Sequence, residues 1–382
     1  MSDAHDARHE RSPKACASKG AAPSFDLYLI EELGNGRALT HMTGRRLMAA
    51  LPFKEGMQVL PVRERVPVIW VVTDGRAGIE AQALGLAEAM ARLLPFAIET
   101  KRVALNVAGP RFAWGDPFRR LIEPSALAPP YPDIWIGCGR RAAALTVALR
   151  ARAPDVFRIQ LQNPRDRLSN YDLVIAPAHD DVAGDNVVAM IGAPNRIDRA
   201  SVDALRDERL EQLPRPLVGV MIGGPNRAFR FGLGEAAALA TKLSGVAAQL
   251  AISTSRRTPA DASDLLRARL PRALFHDPVR DAPSGNLYPA LLRYADAMIV
   301  TEDSVNMASE AARYGAPLYV AALQARPFAN VRKFRRFHEQ LKQAGASRQF
   351  EGSAAAFDVP PFDETARVAE VAIDRWRQRT TS

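Results

Sequence analysis

From residue 67 onward the chain alternates short apolar runs with amphipathic stretches. Runs at 68–72, 96–100, 133–137, 156–161, 172–176 and 186–191 read as strands, with helices predicted over 79–94 and 141–152. The strands are apolar at successive positions rather than at alternate ones, which fits a parallel sheet covered on both faces. A polar stretch at 194–216, rich in Arg and Asp and bounded by prolines, interrupts the series and reads as a linker with room for a short helix. The cycle then restarts. Strands are predicted at 217–222, 249–253, 273–276 and 297–300 and from 318, and helices over 234–243, 261–270, 288–295, 305–314, 328–344 and 364–378. The fold class is therefore α/β, two Rossmann-like domains facing a cleft, in 66–200 and 214–350. The segment 351–382 carries a helix placed to cross back to the first domain.

Residues 1–65 break this pattern. The first 24 are small, polar and charged and are expected to be disordered. Residues 25–60 carry scattered apolar positions and read as a docked extension.

Composition narrows the function. The net charge is +9, yet only seven of the 51 basic residues are lysine. Arginine in place of lysine, alongside many alanines, is a compositional habit rather than a nucleic-acid footprint, so no nucleic-acid partner is expected. A basic face toward substrate phosphates or anionic lipid fits better. Cys16 and Cys138 are the only cysteines, too few for a disulfide framework or a zinc site. His179, His276 and His338 stand isolated, and no metal is expected. No apolar run reaches the roughly 20 residues of a membrane span. The N-terminus lacks a signal-peptide apolar core. The expectation is a cytoplasmic protein, with room for a peripheral contact at the inner membrane.

Four polar segments follow predicted strands. In Thr73-Asp-Gly-Arg-Ala-Gly78, Gly75 and Gly78 permit a tight turn and close ligand approach, with Arg76 beside them and Gln82 one turn into the next helix. Asp74 is a candidate general base there, or the cap of that helix. In Gly223-Gly-Pro-Asn-Arg227, main-chain amides near Gly223 and Gly224 suit phosphate oxygens, with Asn226 and Arg227 adding polar contacts. The segment matches neither the Walker pattern nor G-x-G-x-x-G, and a plain turn is the alternative. Ser253-Thr-Ser-Arg-Arg-Thr258 places Ser255 and Arg256 at a strand end, suited to a diphosphate or to a solvated loop.

The fourth segment is Thr301-Glu-Asp-Ser-Val-Asn-Met-Ala-Ser-Glu310. Ser304 is an N-cap candidate, so the corner is a strand end, a polar turn and a helix N-terminus together, an arrangement suited to anions. Glu302 and Asp303 are placed for sugar hydroxyls. Ser304 and Asn306 are placed for phosphate or sugar, and Glu310 for ribose. Helix capping with solvated carboxylates is the alternative. In 332–336, four basic residues interleaved with Phe334 and Phe337 read as a solvated face over core aromatics, or as a contact with lipid headgroups.

These four motifs, in this order, resemble the bacterial branch of the mitochondrial fission (elongated mitochondria) family over roughly residues 67–350. The resemblance implies the architecture of the GT-B glycosyltransferases, whose second domain holds a nucleotide sugar. Glu302 and Glu310 match the spacing of paired glutamates in many retaining enzymes of that fold. There the later glutamate holds ribose and the earlier faces the donor sugar. Inverting lipid-linked enzymes keep the later one as well.

The expected activity is transfer of a sugar from a nucleoside-diphosphate sugar, with uridine as the base, to a lipid or envelope-glycan acceptor. No cofactor beyond that substrate is expected. The catalytic candidates are Asp74 and Glu302. The alternatives are a nucleotide-sugar 2-epimerase and a non-catalytic membrane-associated factor that kept the fold.

Overall fold

The computed structural model describes residues 65–106, 115–281 and 287–381, with strand backbone at 26–33, 36–43 and 58–59. The segment 1–24 expected to be disordered lies outside the described residues. Within a separate unit ending at Val66, β1 (Asp26–Leu33) pairs antiparallel with β2 (Gly36–Thr43) and β3 (Gln58–Val59).

The chain from Pro67 forms one compact unit on two six-stranded sheets, each parallel throughout. The first holds β4 (Val68–Thr73), β5 (Ala97–Arg102), β6 (Ile134–Cys138), β7 (Phe157–Leu161), β8 (Leu173–Pro177) and β9 (Val187–Met190), in the order β5-β4-β6-β7-β8-β9. The second holds β10 (Leu217–Ile222), β11 (Gln249–Thr254), β12 (Leu274–His276), β13 (Ala297–Thr301), β14 (Leu318–Ala321) and β15 (Arg348–Gln349), in the order β12-β11-β10-β13-β14-β15. The two expected Rossmann-like domains are present. Every position of β6, β10 and β13 is buried, because helices cover both faces. Each fully buried Ile, Val or Leu there contributes about 1.5–3 kcal/mol.

The helices are α1 (Ala77–Leu93) and α2 (Gly139–Arg152) in the first domain, the short α3 (Arg199–Asp203) and α4 (Glu208–Glu211) in the link, α5 (Leu233–Ser244), α6 (Ala260–Arg269), α7 (Leu287–Tyr294), α8 (Val305–Tyr314) and α9 (Arg332–Gln343) in the second domain, and the closing α10 (Glu364–Thr381). α9 begins four residues later than apolar spacing suggests. Phe328 sits at φ 59°, in the left-handed region, and Pro327 before it cannot donate, so the turn cannot propagate a helix.

α10 lies against α1 and the first sheet. Its Glu364 accepts from the Ile191 amide at 2.8 Å, Arg367 Nη2 donates to the Ala189 carbonyl at 2.7 Å, and Trp376 meets Phe96 edge-on at 5.3 Å. The end of the chain thus fastens back onto the domain where the sheets began.

Strand order reverses between β10 and β13 in the second sheet and between β4 and β6 in the first. Open α/β sheets form their crevices outside the carboxyl ends of the strands at such reversals. All four polar segments leave a strand at its carboxyl end. Three of them leave the neighbouring strands β10, β11 and β13.

Candidate functional site

The second-domain corner is built around Asp303. β13 ends at Thr301, the chain turns, and Ser304 caps α8 by accepting from the Met307 amide at 3.3 Å. The Asp303 side chain is fully buried. Its Oδ1 accepts from the Thr301 hydroxyl at 2.7 Å, and its Oδ2 accepts from the Gly224 amide at 3.1 Å and from Arg257 Nη2 at 2.7 Å. The Gly223 amide donates to Thr301 Oγ1 at 2.8 Å, Arg257 Nη1 to the Gly224 carbonyl at 3.1 Å, and Asn226 Nδ2 to the Asp303 carbonyl at 3.2 Å. The Thr258 hydroxyl donates to the Gly223 carbonyl. Three loops are thereby tied into one knot. A Cβ at Gly223 would lie 2.1 Å from Asp303, and one at Gly224 would lie 2.3 Å from the Arg257 carbonyl. Both glycines are required by this close approach.

This geometry revises several expectations. The Gly223 and Gly224 amides, expected to receive phosphate, are committed to Thr301 and Asp303. Asp303, expected on sugar hydroxyls, is enclosed in the knot. Asn226 Oδ1 accepts from the Ala228 and Phe229 amides at 2.7 and 2.8 Å, so it shapes its own turn. Ser255 does the same, accepting from the Arg257 amide at 3.2 Å. Of the adjacent arginines, Arg257 rather than Arg256 enters the knot. Arg256 and Arg227 are exposed and have no polar partner among the described residues.

Glu310 stands apart from this knot. It lies on α8 one turn beyond Asn306, and its carboxylate makes no hydrogen bond or ion pair among the described residues. Burial pushes its carboxyl up from 4.5 to about 7, since desolvation penalises the charged form. Glu302 is the more deeply buried of the two, and burial raises its carboxyl too, with a Leu323 amide bond at 3.0 Å opposing the shift. Glu302 has a structural partner where Glu310 has none.

The first domain meets α8 through α1. Gln82 Nε2 donates to Asn306 Oδ1 at 3.2 Å, while Gln82 Oε1 accepts from Gln162 Nε2 at 2.8 Å. A Cβ at Gly78 would lie 3.3 Å from Asn306 Nδ2, so the start of α1 and α8 touch closely. Gln82 and Asn306, predicted for opposite sides of a cleft, are thus bonded across it. Arg313 Nη1 extends the seam by donating to the Asn195 carbonyl at 2.8 Å.

Asp74 does not cap α1. Both of its oxygens accept from Arg76 Nε at 3.0 Å, and Arg76 occupies the cap position without a side-chain bond. Gly75, at φ +77°, makes the turn between β4 and that arginine.

Sequence reasoning missed a second seam. Lys333 and Arg336 of α9 pair with Asp180 and Asp181, in the loop after β8. Two cations of the cluster expected to be solvated therefore bridge the domains, while Phe337 is fully buried. His179 and His338, isolated in sequence, lie on the two sides of this seam. His179 packs edge-on to Phe337 with centroids 6.2 Å apart, and His338 Nε2 contacts the Glu302 carbonyl oxygen at 2.9 Å. Burial lowers both imidazoles, and the Nδ1 of each has no hydrogen-bond partner. Nothing in the spacing signals these pairings, which follow only from the docking of α9.

Beside the α1–α8 contact the first domain holds a cavity of about 860 Å³, lined by Arg76, Arg140, Gln160, Gln162, Arg165 and Asp180 among others. Among the described residues no cluster of three His, Cys, Asp or Glu side chains could hold a metal ion, and no helix is long and apolar enough to cross a membrane.

Comparison with solved structures gives similarity to MurG of Acinetobacter baumannii, at TM-score 0.44 and 13% identity over 82% of this chain and 95% of that one. A putative UDP-N-acetylglucosamine 2-epimerase of Listeria monocytogenes is similar at TM-score 0.45 and 12% identity, over 83% and 92%. Among curated proteins, the mitochondrial fission protein ELM1 of Arabidopsis thaliana is 31% identical over 291 residues, covering 65% of this chain and 66% of that protein. An uncharacterised protein of Rickettsia prowazekii (strain Madrid E) is 26% identical over 349 residues, covering 79% and 97%. The family model described as Mitochondrial fission ELM1 matches residues 77–376, a span that takes in both sheets, the Asp303 knot and the α1–α8 seam, and the chain therefore belongs to that family.

Proposed function

We propose that this protein transfers a sugar from a nucleoside-diphosphate sugar, with uridine as the base, to a lipid or envelope-glycan acceptor. The observation that carries this reading is Glu310. A half-buried carboxylate without a protein partner, its charged form penalised by desolvation, calls for a ligand that supplies donors. Vicinal ribose hydroxyls do so in bidentate fashion. The N-terminus of α8, with Ser304 and Asn306, faces the diphosphate, and the exposed Arg227 and Arg256 add charge-assisted bonds to it. These groups stabilise the departing diphosphate electrostatically.

Glu302, one strand end away, stands toward the donor sugar. Asp74, Gly75, Arg76, Gly78 and Gln82 form the acceptor side. For Asp74 to act as base, Arg76 must first swing away from it. The test is calorimetric titration of UDP and a panel of UDP-sugars into the wild type and Glu310→Ala. Binding that is lost in the variant supports the reading, and absence of binding to any member of the panel in the wild type overturns it.

A second reading is favoured by the facing pair His179 and His338. Two buried imidazoles with unused Nδ1 atoms at a domain seam are suited to acid/base work, which a nucleotide-sugar 2-epimerase requires. Incorporation of solvent deuterium into a UDP-sugar with no acceptor present, abolished by His179→Asn, distinguishes epimerisation from transfer.

A further inference from the structure

We infer that the first-domain cavity binds a hydroxylated phosphate ester, a sugar phosphate either free or carried on a lipid. The inference rests on the transfer reading above and names the chemistry of its acceptor. The cavity, about 860 Å³, is of the size that takes a small-molecule ligand. Arg76, Arg140 and Arg165 line it, from three different segments. Arg76 opens α1, Arg140 lies in the first turn of α2, and Arg165 stands on the loop after β7.

α2, 14 residues long, begins at Gly139 on the cavity wall, and the residue before it, Cys138, provides no side-chain cap. Its first-turn amides and the positive end of the helix therefore add to the arginines. Burial pushes the Cys138 thiol up to about 12, so it brings no competing negative charge.

The independent observation is Gln160. It lines the same cavity and is 1% exposed, and its Oε1 receives no hydrogen bond. A buried carbonyl without a donor is destabilising, and a ligand hydroxyl that reached it at the wall would relieve that. Asp180 also lines the cavity, paired with Lys333 through Oδ1, and its Oδ2 can accept from a further hydroxyl. Cations with an open helix end call for phosphate, and the remaining acceptors call for a polyol.

Location agrees with this chemistry. Gly78, two residues beyond Arg76, abuts Asn306 of α8, and Asp180 is paired with Lys333 of the second domain. The cavity thus lies beside the helix that the donor is proposed to occupy.

The experiment uses the full chain, saturated with UDP so that the second-domain site is filled. Glucose 1-phosphate, octyl phosphate, glucuronate and glucose are titrated into wild type, Arg140→Ala and Arg165→Ala. At least one phosphate ester should bind the wild type, with a loss of about tenfold or more in each arginine variant. Glucose 1-phosphate binding without octyl phosphate binding marks a soluble source, binding of both marks a site that also accepts a lipid-borne ester, and octyl phosphate binding alone overturns the hydroxylated part of the inference. Should either variant fail to fold, phenylglyoxal labelling of the wild type read by mass spectrometry replaces it. Arg140 and Arg165 should then be protected by the phosphate ester and not by glucose.

Failure of both esters to bind, binding indifferent to both arginines, or glucuronate binding as well as the esters overturns the inference. If UDP does not bind but an Arg140-dependent ester does, the transfer reading fails and the cavity assignment stands.

Discussion

Replacing Glu310 by Gln separates a functional carboxylate from a structural one. In the folded chain burial raises this carboxyl from 4.5 to about 7, a difference of about 2.5 pH units worth about 3 kcal/mol as a ceiling, because the side chain is only half-buried and water screens part of the penalty. The sign follows from proton uptake. Between pH 4.5 and 7 the folded chain holds a proton on Glu310 that the unfolded chain has released, so stability from this group is present below pH 4.5, falls as pH rises, and is gone above about 7.

Glu310→Gln removes the charge and the dependence together. The variant should melt higher than the wild type at about pH 8, by up to about 4 °C for a chain of this size, and the gap should close toward about pH 4.5. Differential scanning calorimetry across that range reads it. In the same preparation UDP affinity should fall roughly 10–100-fold, since an amide cannot accept from two ribose hydroxyls at once as a charged group does. A variant less stable than the wild type at about pH 8 would show that Glu310 has a structural partner. A stabilised variant with undiminished UDP affinity would remove ribose from its role.

Gly224→Ala should destabilise the second domain by about 1–3 kcal/mol in urea titration, because the new Cβ would lie 2.3 Å from the Arg257 carbonyl and the knot would have to open. The Gln82–Asn306 bond should show a coupling of about 0.5–1.5 kcal/mol in a double-mutant cycle with alanine, and additive effects would mean that the seam is not formed in solution. The Lys333–Asp180 and Arg336–Asp181 pairs should make domain closure salt-sensitive. Small-angle scattering should show the radius of gyration rising from low to high salt in the wild type, and the Lys333→Ala, Arg336→Ala double variant open at both.

The legible part of this protein was whatever local pattern controls. Unbroken apolar runs marked the central strands, because a sheet covered on both faces needs apolar side chains at successive positions. Ser304 and Gly315 bounded α8 in sequence and in space. The positions of the polar loops followed from the strands they leave. What those loops do was less legible, since a Gly-Gly turn beside arginines looks the same whether its amides face a phosphate or a neighbouring carboxylate. Only the adjacency of β10 and β13 shows Asp303 filling that place. Arg257 and Arg256 are indistinguishable by type, and the twist of one loop selects between them. The His179–His338 seam, the Asp180 and Asp181 pairs and the Gln160 wall depend on contacts more than 100 residues apart in sequence or on a cavity, and no spacing rule reaches them.

The two kinds of polar residue at this corner also divide its labour. Asp303, Arg257, Thr301 and the two glycines satisfy one another, and each bond removed would leave a buried group unpaired, so this set holds β10, β11 and β13 in one fixed register. Gln82, Asn306, Lys333 and Arg336 make bonds of neutral or partly exposed groups across the seam, which break at small cost and can re-form. On the proposed transfer reading, a donor would have to enter between the domains before a reaction could be sealed from water. The rigid knot and the breakable seam are the arrangement that task requires. Glu310, on the helix that contributes to both, carries a desolvation penalty that neither set relieves, and the proposed ribose contact would offset it.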